Sequence, residues 1–226
     1  MNSCDLCIQK GLTSLKALNK EELESIQNTK TTLIFKKGDA LFEEGDTTNG
    51  VYCIKAGICK MTKLSANGKD QIVKLAQVGD LIDKRLIISE ELSNTSAIAL
   101  EDMEVCYIPR EPILNAFNNN NQFSLLLMRS ICSDLKEANE MIMNMAQKSV
   151  KSRLAFTLLH LQDQFGIDTD KSLKINLSRD ELATLIGTAT ESAIRLLSEL
   201  KKARFIDLQG KKILILEPQL LKKMAE

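Results

Sequence analysis

The sequence predicts an α+β chain: an N-terminal β-barrel of the jelly-roll kind, a long helix, and a C-terminal winged helix-turn-helix. Three observations lead there. Residues 31–108 carry short apolar or alternating runs broken by Gly38, Gly45, Gly50, Gly57, Gly68 and Gly79, the pattern of many short strands joined by glycine turns. Residues 122–149 hold neither proline nor glycine and repeat apolar residues at alternating steps of three and four, as a helix with a heptad seam does. Residues 178–216 show two short helical patterns meeting at Gly187 and two apolar runs around Gly210, which suits a tight helix-turn-helix followed by a wing. A chain of 226 residues is long enough for two domains with real cores. The expected division is 1–121 as a barrel with its lead, 122–149 as a dimerisation helix, and 150–226 as a DNA-binding domain.

Residues 1–11 form a lead bearing Cys4 and Cys7. Residues 12–29 predict a short helix, with Asn19 as a cap before Lys20-Glu21-Glu22-Leu23. The strands expected next are Thr31–Phe35, Ala40–Phe42, Val51–Ile54, Ile58–Leu64, Gln71–Leu75, Ala97–Leu100 and Val105–Ile108. On the long helix, Met128, Ile131, Leu135, Ala138, Ile142 and Met145 form the seam. Leu126, Leu127, Cys132 and Met143 lie off it, so this helix is expected to touch both its own barrel and a second copy of the chain. Residues 150–165 predict another amphipathic helix ending at Gly166, and Lys174–Leu177 a short strand.

The helix-turn-helix carries the chemistry. Ser178 with Glu181, and Thr188 with Glu191, each have the spacing of a capping box. Thr188, Thr190, Glu191, Ser192 and Arg195 lie at the start of the second helix. Glu191 and Arg195 share a face, either as a solvated ion pair or as readers of base edges. An arginine can bond guanine O6 and N7, and a carboxylate can accept from cytosine N4, in the major groove. Hydroxyl groups and helix-start amides, with Ser178 and Arg179 at the first helix, can hold phosphates. The expected partner is double-stranded DNA with a palindromic site, bound by a homodimer.

Composition gives weaker guidance. Hydrophobic residues at 44% and charged residues at 27% are globular values. Net charge is zero, but residues 149–226 hold 13 Lys+Arg against 10 Asp+Glu, a small basic excess where DNA would bind. No run is long enough to span a membrane and no signal peptide is evident, so a cytoplasmic protein with mostly reduced or metal-bound cysteines is expected. No nucleophile–base pair or phosphate loop appears, which argues against an enzyme. The only histidine, His160, lies far from the cysteines in sequence and reads as a packing residue. Cys53 and Cys59 flank Lys55-Ala56-Gly57 and read either as core residues or as thiols facing each other across a hairpin.

The order of these elements resembles the CRP/FNR family of transcription regulators over nearly the whole chain. The motifs are Lys37-Gly38-Asp39, Glu43-Glu44-Gly45-Asp46, Ile54-Lys55-Ala56-Gly57, Val78-Gly79-Asp80, Ala99-Leu100-Glu101-Asp102, and Gly187 through Arg195. The resemblance implies a cyclic-nucleotide-binding-like sensor barrel, a dimer, RNA polymerase as a partner, and Glu191 with Arg195 reading a TGA-type half-site core. Cyclic-AMP-binding members use Gly-Glu and Arg-Ser pairs where this chain has Asp83-Lys84 and Ser93-Asn94, so cyclic AMP is not expected. The chain is more similar to the oxygen-sensing fumarate–nitrate reductase regulator branch, which holds a [4Fe–4S] cluster. That likeness implies Cys4, Cys7 and Cys106 as ligands of an iron–sulfur centre and a redox, oxygen or nitric-oxide signal. Thr13 stands where the branch has its third N-terminal cysteine. The fourth ligand is then open among Asp5, Cys53, Cys59, water or another group. A small organic ligand in the barrel, or no effector, is the alternative.

Overall fold

The computed structural model describes residues 14–65, 68 and 70–226. It divides between Glu137 and Ala138 into two compact units. The first opens with a 3-10 turn at Ser14–Ala17 and a helix α1 at Lys20–Thr29. Asn19 and Glu22 form a reciprocal cap, each side chain holding the other residue's backbone N–H. That satisfies two amides a helix start leaves unpaired.

Eight strands follow: β1 Thr31–Phe35, β2 Ala40–Phe42, β3 Gly50–Ala56, β4 Cys59–Leu64, β5 Asp70–Ala76, β6 Leu81–Ile82, β7 Ser96–Ala99 and β8 Met103–Pro109. A short helix α2, Leu86–Ser89, sits between β6 and β7. The strands form two sheets, ordered β1-β8-β3-β6 and β2-β7-β4-β5. This is an open jelly-roll sandwich rather than a closed barrel. Apart from β4 and β5, which form a hairpin within one sheet, each strand is followed by one in the facing sheet. Gly57, at φ +89°, shows why no other residue serves there: a Cβ would lie 2.7 Å from Met103 Cγ and 2.8 Å from the Asp102 carbonyl oxygen.

Alternation along β3 and β8 sorts their side chains into two cores. Ile54, Met103 and Val105 point between the sheets, with Phe42, Cys59, Ala76, Ile82, Ala97 and Ala99. Val51, Cys53, Cys106 and Ile108 point outward, where Leu15, Leu18, Ile26, Ile113, Phe123 and Leu127 cover them. Those covering residues come from the 3-10 turn and Leu18 just after it, α1, a helix α3 at Arg110–Asn119, and the long helix α4 at Asn121–Gln147. Asn120 starts α4 by accepting the backbone N–H groups of Gln122 and Phe123 through its side chain.

The second unit contains α5 Val150–Phe165, α6 Arg179–Leu185, α7 Thr190–Lys202, the hairpin β9 Ile206–Gln209 and β10 Lys212–Ile215, and α8 Pro218–Ala225. Its core is the apolar stripe of α5, with Leu154, Leu158 and Leu161, against Leu182, Ile186, Leu197, Leu200 and Leu221. The strand expected at Lys174–Leu177 is absent. Only isolated bridges form nearby, Ile167 to Leu173 and Ser172 to Leu214, because the apolar residues there alternate as core plugs without a long partner strand. The closing helix α8 was not anticipated. Pro218 stands at its start, where a missing N–H costs nothing.

Candidate nucleic-acid interface

Ser178 begins α6 with the reciprocal cap its sequence predicts: Glu181 N–H donates to Ser178 Oγ at 3.1 Å, and Ser178 N–H to Glu181 Oε2 at 2.8 Å. Ile186 ends the helix and Gly187 turns the chain at φ +65°. The second expected cap does not form. Ala189, not Thr188, occupies the capping position of α7, and no side chain bonds the first amides. A different contact fixes this start: Thr190 Oγ1 donates to Asp180 Oδ1 of α6 at 2.8 Å. The bond ties the two helices together at the end where α7 begins.

Arg153 of α5 holds the turn from behind. Its guanidinium donates to the carbonyls of Ile186 at 2.8 Å, Gly187 at 3.2 Å and Lys148 at 2.9 Å. A planar fork with five donors is suited to such a cluster of acceptors. Met145 packs on the same turn, since a Cβ on Gly187 would lie 2.9 Å from Met145 Sδ. Neither Arg153 nor Asp180 was singled out by sequence, because their partners are backbone or far along the chain.

Helix α7 buries Ala193, Leu196, Leu197 and Leu200. Its opposite face shows Glu191, Ile194, Arg195 and Ser198 to solvent. Glu191 and Arg195 do not form an ion pair within 4 Å, so both heads point to water. Ser192 and Thr188 are half-buried beside them. Ile194 is a residue that periodicity alone assigns to neither face; 46% exposed, it puts an apolar tip on the same solvent-facing surface as Glu191 and Arg195. Arg179 does not point outward freely: Nη2 donates to the Gly210 carbonyl at 2.7 Å. It braces the wing turn, which Gly210 makes at φ +60°.

On α4, Met128, Leu135 and Ile142 are 43%, 62% and 63% exposed. They recur every seventh residue and form one apolar line in water. Ala138 is exposed beside them. Ile131 packs against the outward-facing core of the sandwich, and Met145 against the turn of the helix-turn-helix.

In the sandwich, Asp83 holds left-handed backbone at φ +61°. Lys84 is buried and pairs with Asp134 Oδ2 of α4 at 2.9 Å, also donating to Ser130 Oγ. Lys74 joins the same carboxylate. Ser93 is buried, donating to the Thr95 carbonyl at 2.8 Å. Cys4, Cys7 and Thr13 lie outside the described residues. Cys106 is buried on β8. Its register partner on β3 is Cys53, and neither is in a disulfide. Of the two readings of Cys53 and Cys59, core packing is the one that holds, both being buried, and they do not face each other across a hairpin. β3 and β4 belong to different sheets, and Cys59 pairs in register with Ala76 and Ala99.

Comparison with known proteins agrees with this architecture. Residues 32–120 match the family model of the cyclic nucleotide-binding domain, and residues 152–224 that of the Crp-like helix-turn-helix domain. The transcriptional activator protein Anr of Pseudomonas protegens is 27% identical over 219 residues, spanning 95% of this chain and 89% of its own. The fumarate and nitrate reduction regulatory protein of Vibrio cholerae is 27% identical, over 98% of this chain and 90% of its own. Among solved structures, FixK2 from Bradyrhizobium japonicum shares the fold with a TM-score of 0.79 at 20% identity, covering 88% of this chain and 98% of that one.

Proposed function

This chain belongs to the CRP/FNR family of DNA-binding transcription regulators, and from that premise we propose that it acts as a homodimer reading a palindromic site. The observation that carries the proposal is the exposed face of α7. Glu191, Ile194 and Arg195 stand together on it, near the helix start, with no partner of their own in the fold. Such a helix docks its N-terminal end in the major groove. Arg195 bonds a guanine, Glu191 accepts from a cytosine amino group, and Ile194 meets a thymine methyl. Thr188, Ser192 and Ser178 lie where phosphates pass, while Arg179 sets the wing. Thr190 acts through Asp180 to fix the angle of α7.

The exposed line Met128, Leu135, Ile142, with Ala138, is the seam for a second copy, since a single helix gains nothing by showing such a line to water. RNA polymerase is the proposed protein partner. No helix among the described residues is long and apolar enough to cross a membrane, and the cytoplasm is the proposed place of action.

For the signal, we propose a redox, oxygen or nitric-oxide input through a metal centre that includes Cys4, Cys7 and Cys106, most simply an iron–sulfur cluster. Such a group would supply a ligand shell that oxidants dismantle. The buried Cys106, with a second thiol as its register neighbour, fits a thiolate-binding group. Cyclic AMP does not suit the sandwich, because Lys84 is already committed to Asp134, positions 93 and 94 are Ser and Asn, and the nearby Arg85 guanidinium is engaged by Glu91 and Asn94. A small organic ligand is the second reading, favoured by Asp83 Oδ2, which is buried in the sandwich with no hydrogen-bond partner.

The decisive experiment pairs protein and base changes. Arg195→Ala and a single guanine replacement in the half-site are combined in a binding cycle. Arg195→Ala is expected to cost ~1–3 kcal/mol on the intact site and almost nothing once that guanine is gone. Equal losses on both sites would reduce Arg195 to a phosphate contact.

A further inference from the structure

Asp134 of α4 is held by two lysines, one at each carboxylate oxygen. Lys74 Nζ bonds Oδ1 and also lies 3.7 Å from Glu137 Oε2. Lys84 Nζ bonds Oδ2 at 2.9 Å and donates to Ser130 Oγ. Lys74 belongs to β5, and Lys84 lies between β6 and α2. Strands β5 and β6 are in different sheets, so one carboxylate ties both halves of the sandwich to the same helix. The Lys84 side chain is only 9% exposed. An ammonium is buried at great cost unless it is paired and hydrogen-bonded, and here it has both an anion and a hydroxyl. By contrast, Lys36–Asp102, Lys55–Glu104 and Lys63–Glu44 join parts of the sandwich to one another and do not touch α4.

The placement of these residues around the helix matters. At 3.6 residues per turn, successive side chains are about 100° apart. Leu127 and Ile131 pack on the outward-facing core of the sandwich. Ser130, Asp134 and Glu137 flank that stripe on one side. Met128 and Leu135 flank it on the other, exposed. Apolar contact is non-directional, so the stripe alone lets the helix roll by small amounts. Charge-assisted hydrogen bonds are short and demand geometry. A roll of α4 breaks them, and the same roll turns Met128 and Leu135 out of line.

We infer that Asp134, clamped between Lys74 and Lys84, is the positioning residue that sets the rotation of α4 and so presents Met128 and Leu135 to the second copy of the chain. This inference rests on the dimer proposed above and assigns what aligns its seam. Asp134 takes no part in the seam itself; it acts through the helix that carries it. Lys84 is the link on the sandwich side, because it reaches α4 from the segment between β6 and α2 and is bonded there at two points, Ser130 and Asp134, one helical turn apart. Dimerisation, and with it DNA affinity, then depends on a buried ion cluster that lies outside both the seam and the DNA-facing helix.

The test is a double-mutant cycle on the full chain. It is read by sedimentation equilibrium and by binding to a duplex with two inverted TGA half-sites one helical turn apart. Lys84→Met removes the charge and keeps the apolar stem; Asp134→Asn removes the carboxylate charge. Each is expected to weaken dimerisation by about two- to thirtyfold, the range in which residues of a coupling network act, with DNA affinity falling in step. In the Asp134→Asn background, Lys84→Met should change dimerisation by less than about twofold, because both act through one contact. Lys36→Met, on an exposed pair away from α4, should match wild type. Lys84→Met leaves Asp134 paired with Lys74, and the double variant leaves no lone charge at Lys84, so these two carry the test if Asp134→Asn, with its unpaired lysine, does not fold. Thermal melts identify folded variants. A brace for the sandwich alone would lower the melts and leave dimerisation of the folded protein unchanged, and that result overturns the inference. Independent, additive losses from Lys84→Met and Asp134→Asn overturn the clamp as one unit. Wild type that is monomeric on this duplex overturns the proposed dimer together with the inference, a failure visible before any variant is made.

Discussion

Asp83 occupies left-handed backbone at φ +61°, a conformation Asp and Asn adopt more readily than most residues. Burial lifts its carboxyl to about 6, against smaller opposing effects of Thr48, Arg85 and Ser93. A raised carboxylic acid binds its proton more tightly folded than unfolded. It therefore adds stability below its unfolded value near 4, and that stability is lost as pH rises through 6. Asp83→Asn keeps the backbone preference and removes the charge. The variant is expected to melt higher than wild type at pH 7.5, with the gap shrinking as pH falls towards 4.5. A gap independent of pH, followed by thermal melts, would show that the carboxylate carries no such cost. At this scale the shared exposed face of Glu191 and Arg195, the proposed readers of DNA, was legible from their spacing. Asp83, Arg153 and the Cys53–Cys106 pair were not. Their meaning comes from neighbours far away in sequence, and a strand's register cannot be read from one strand alone.

Helix α6, the Gly187 turn and α7 act as one element, held by the Ser178 cap, the Thr190–Asp180 bond and the Arg153 fork. Gly187→Ala places a methyl in left-handed backbone and against Met145 Sδ. The conformational part alone costs about 1–2 kcal/mol, while the methionine can move. Urea unfolding should show a loss of that size, with weaker DNA binding because the angle of α7 relaxes. Unchanged stability would mean that the turn tolerates φ +65° without glycine. Sequence gave the two helices of this element and its wing by apolar period and glycine position. It misplaced the second cap, since Thr188 has the right spacing but the turn needs one more residue before α7. The strand expected at Lys174–Leu177 failed for a related reason: period-two alternation also describes a loop that plugs a core with every second side chain.

Across the whole chain, the order of elements was visible from composition: glycine-broken strands, then a helix without glycine or proline, then paired short helices. The expected jelly roll is built from two four-stranded sheets, a division that strand count alone does not reveal. Dimerisation is argued from α4. Ile142→Glu would set two carboxylates against each other in a desolvated seam, which is expensive. Sedimentation should find the variant monomeric, with a large loss of DNA affinity; a variant that stays dimeric would move the interface away from this line. The second unit carries the basic excess, 13 Lys+Arg against 10 Asp+Glu in residues 149–226, so specific contacts rather than bulk charge must supply selectivity. Enrichment of binding sites from random duplex DNA therefore bears on the central claim most directly. The expected result is an inverted repeat of two short half-sites whose centres lie about one helical turn apart, each with a guanine whose preference vanishes in Arg195→Ala. Enrichment of a single unrepeated motif, or of none at physiological salt, would contradict a dimer that reads DNA through α7.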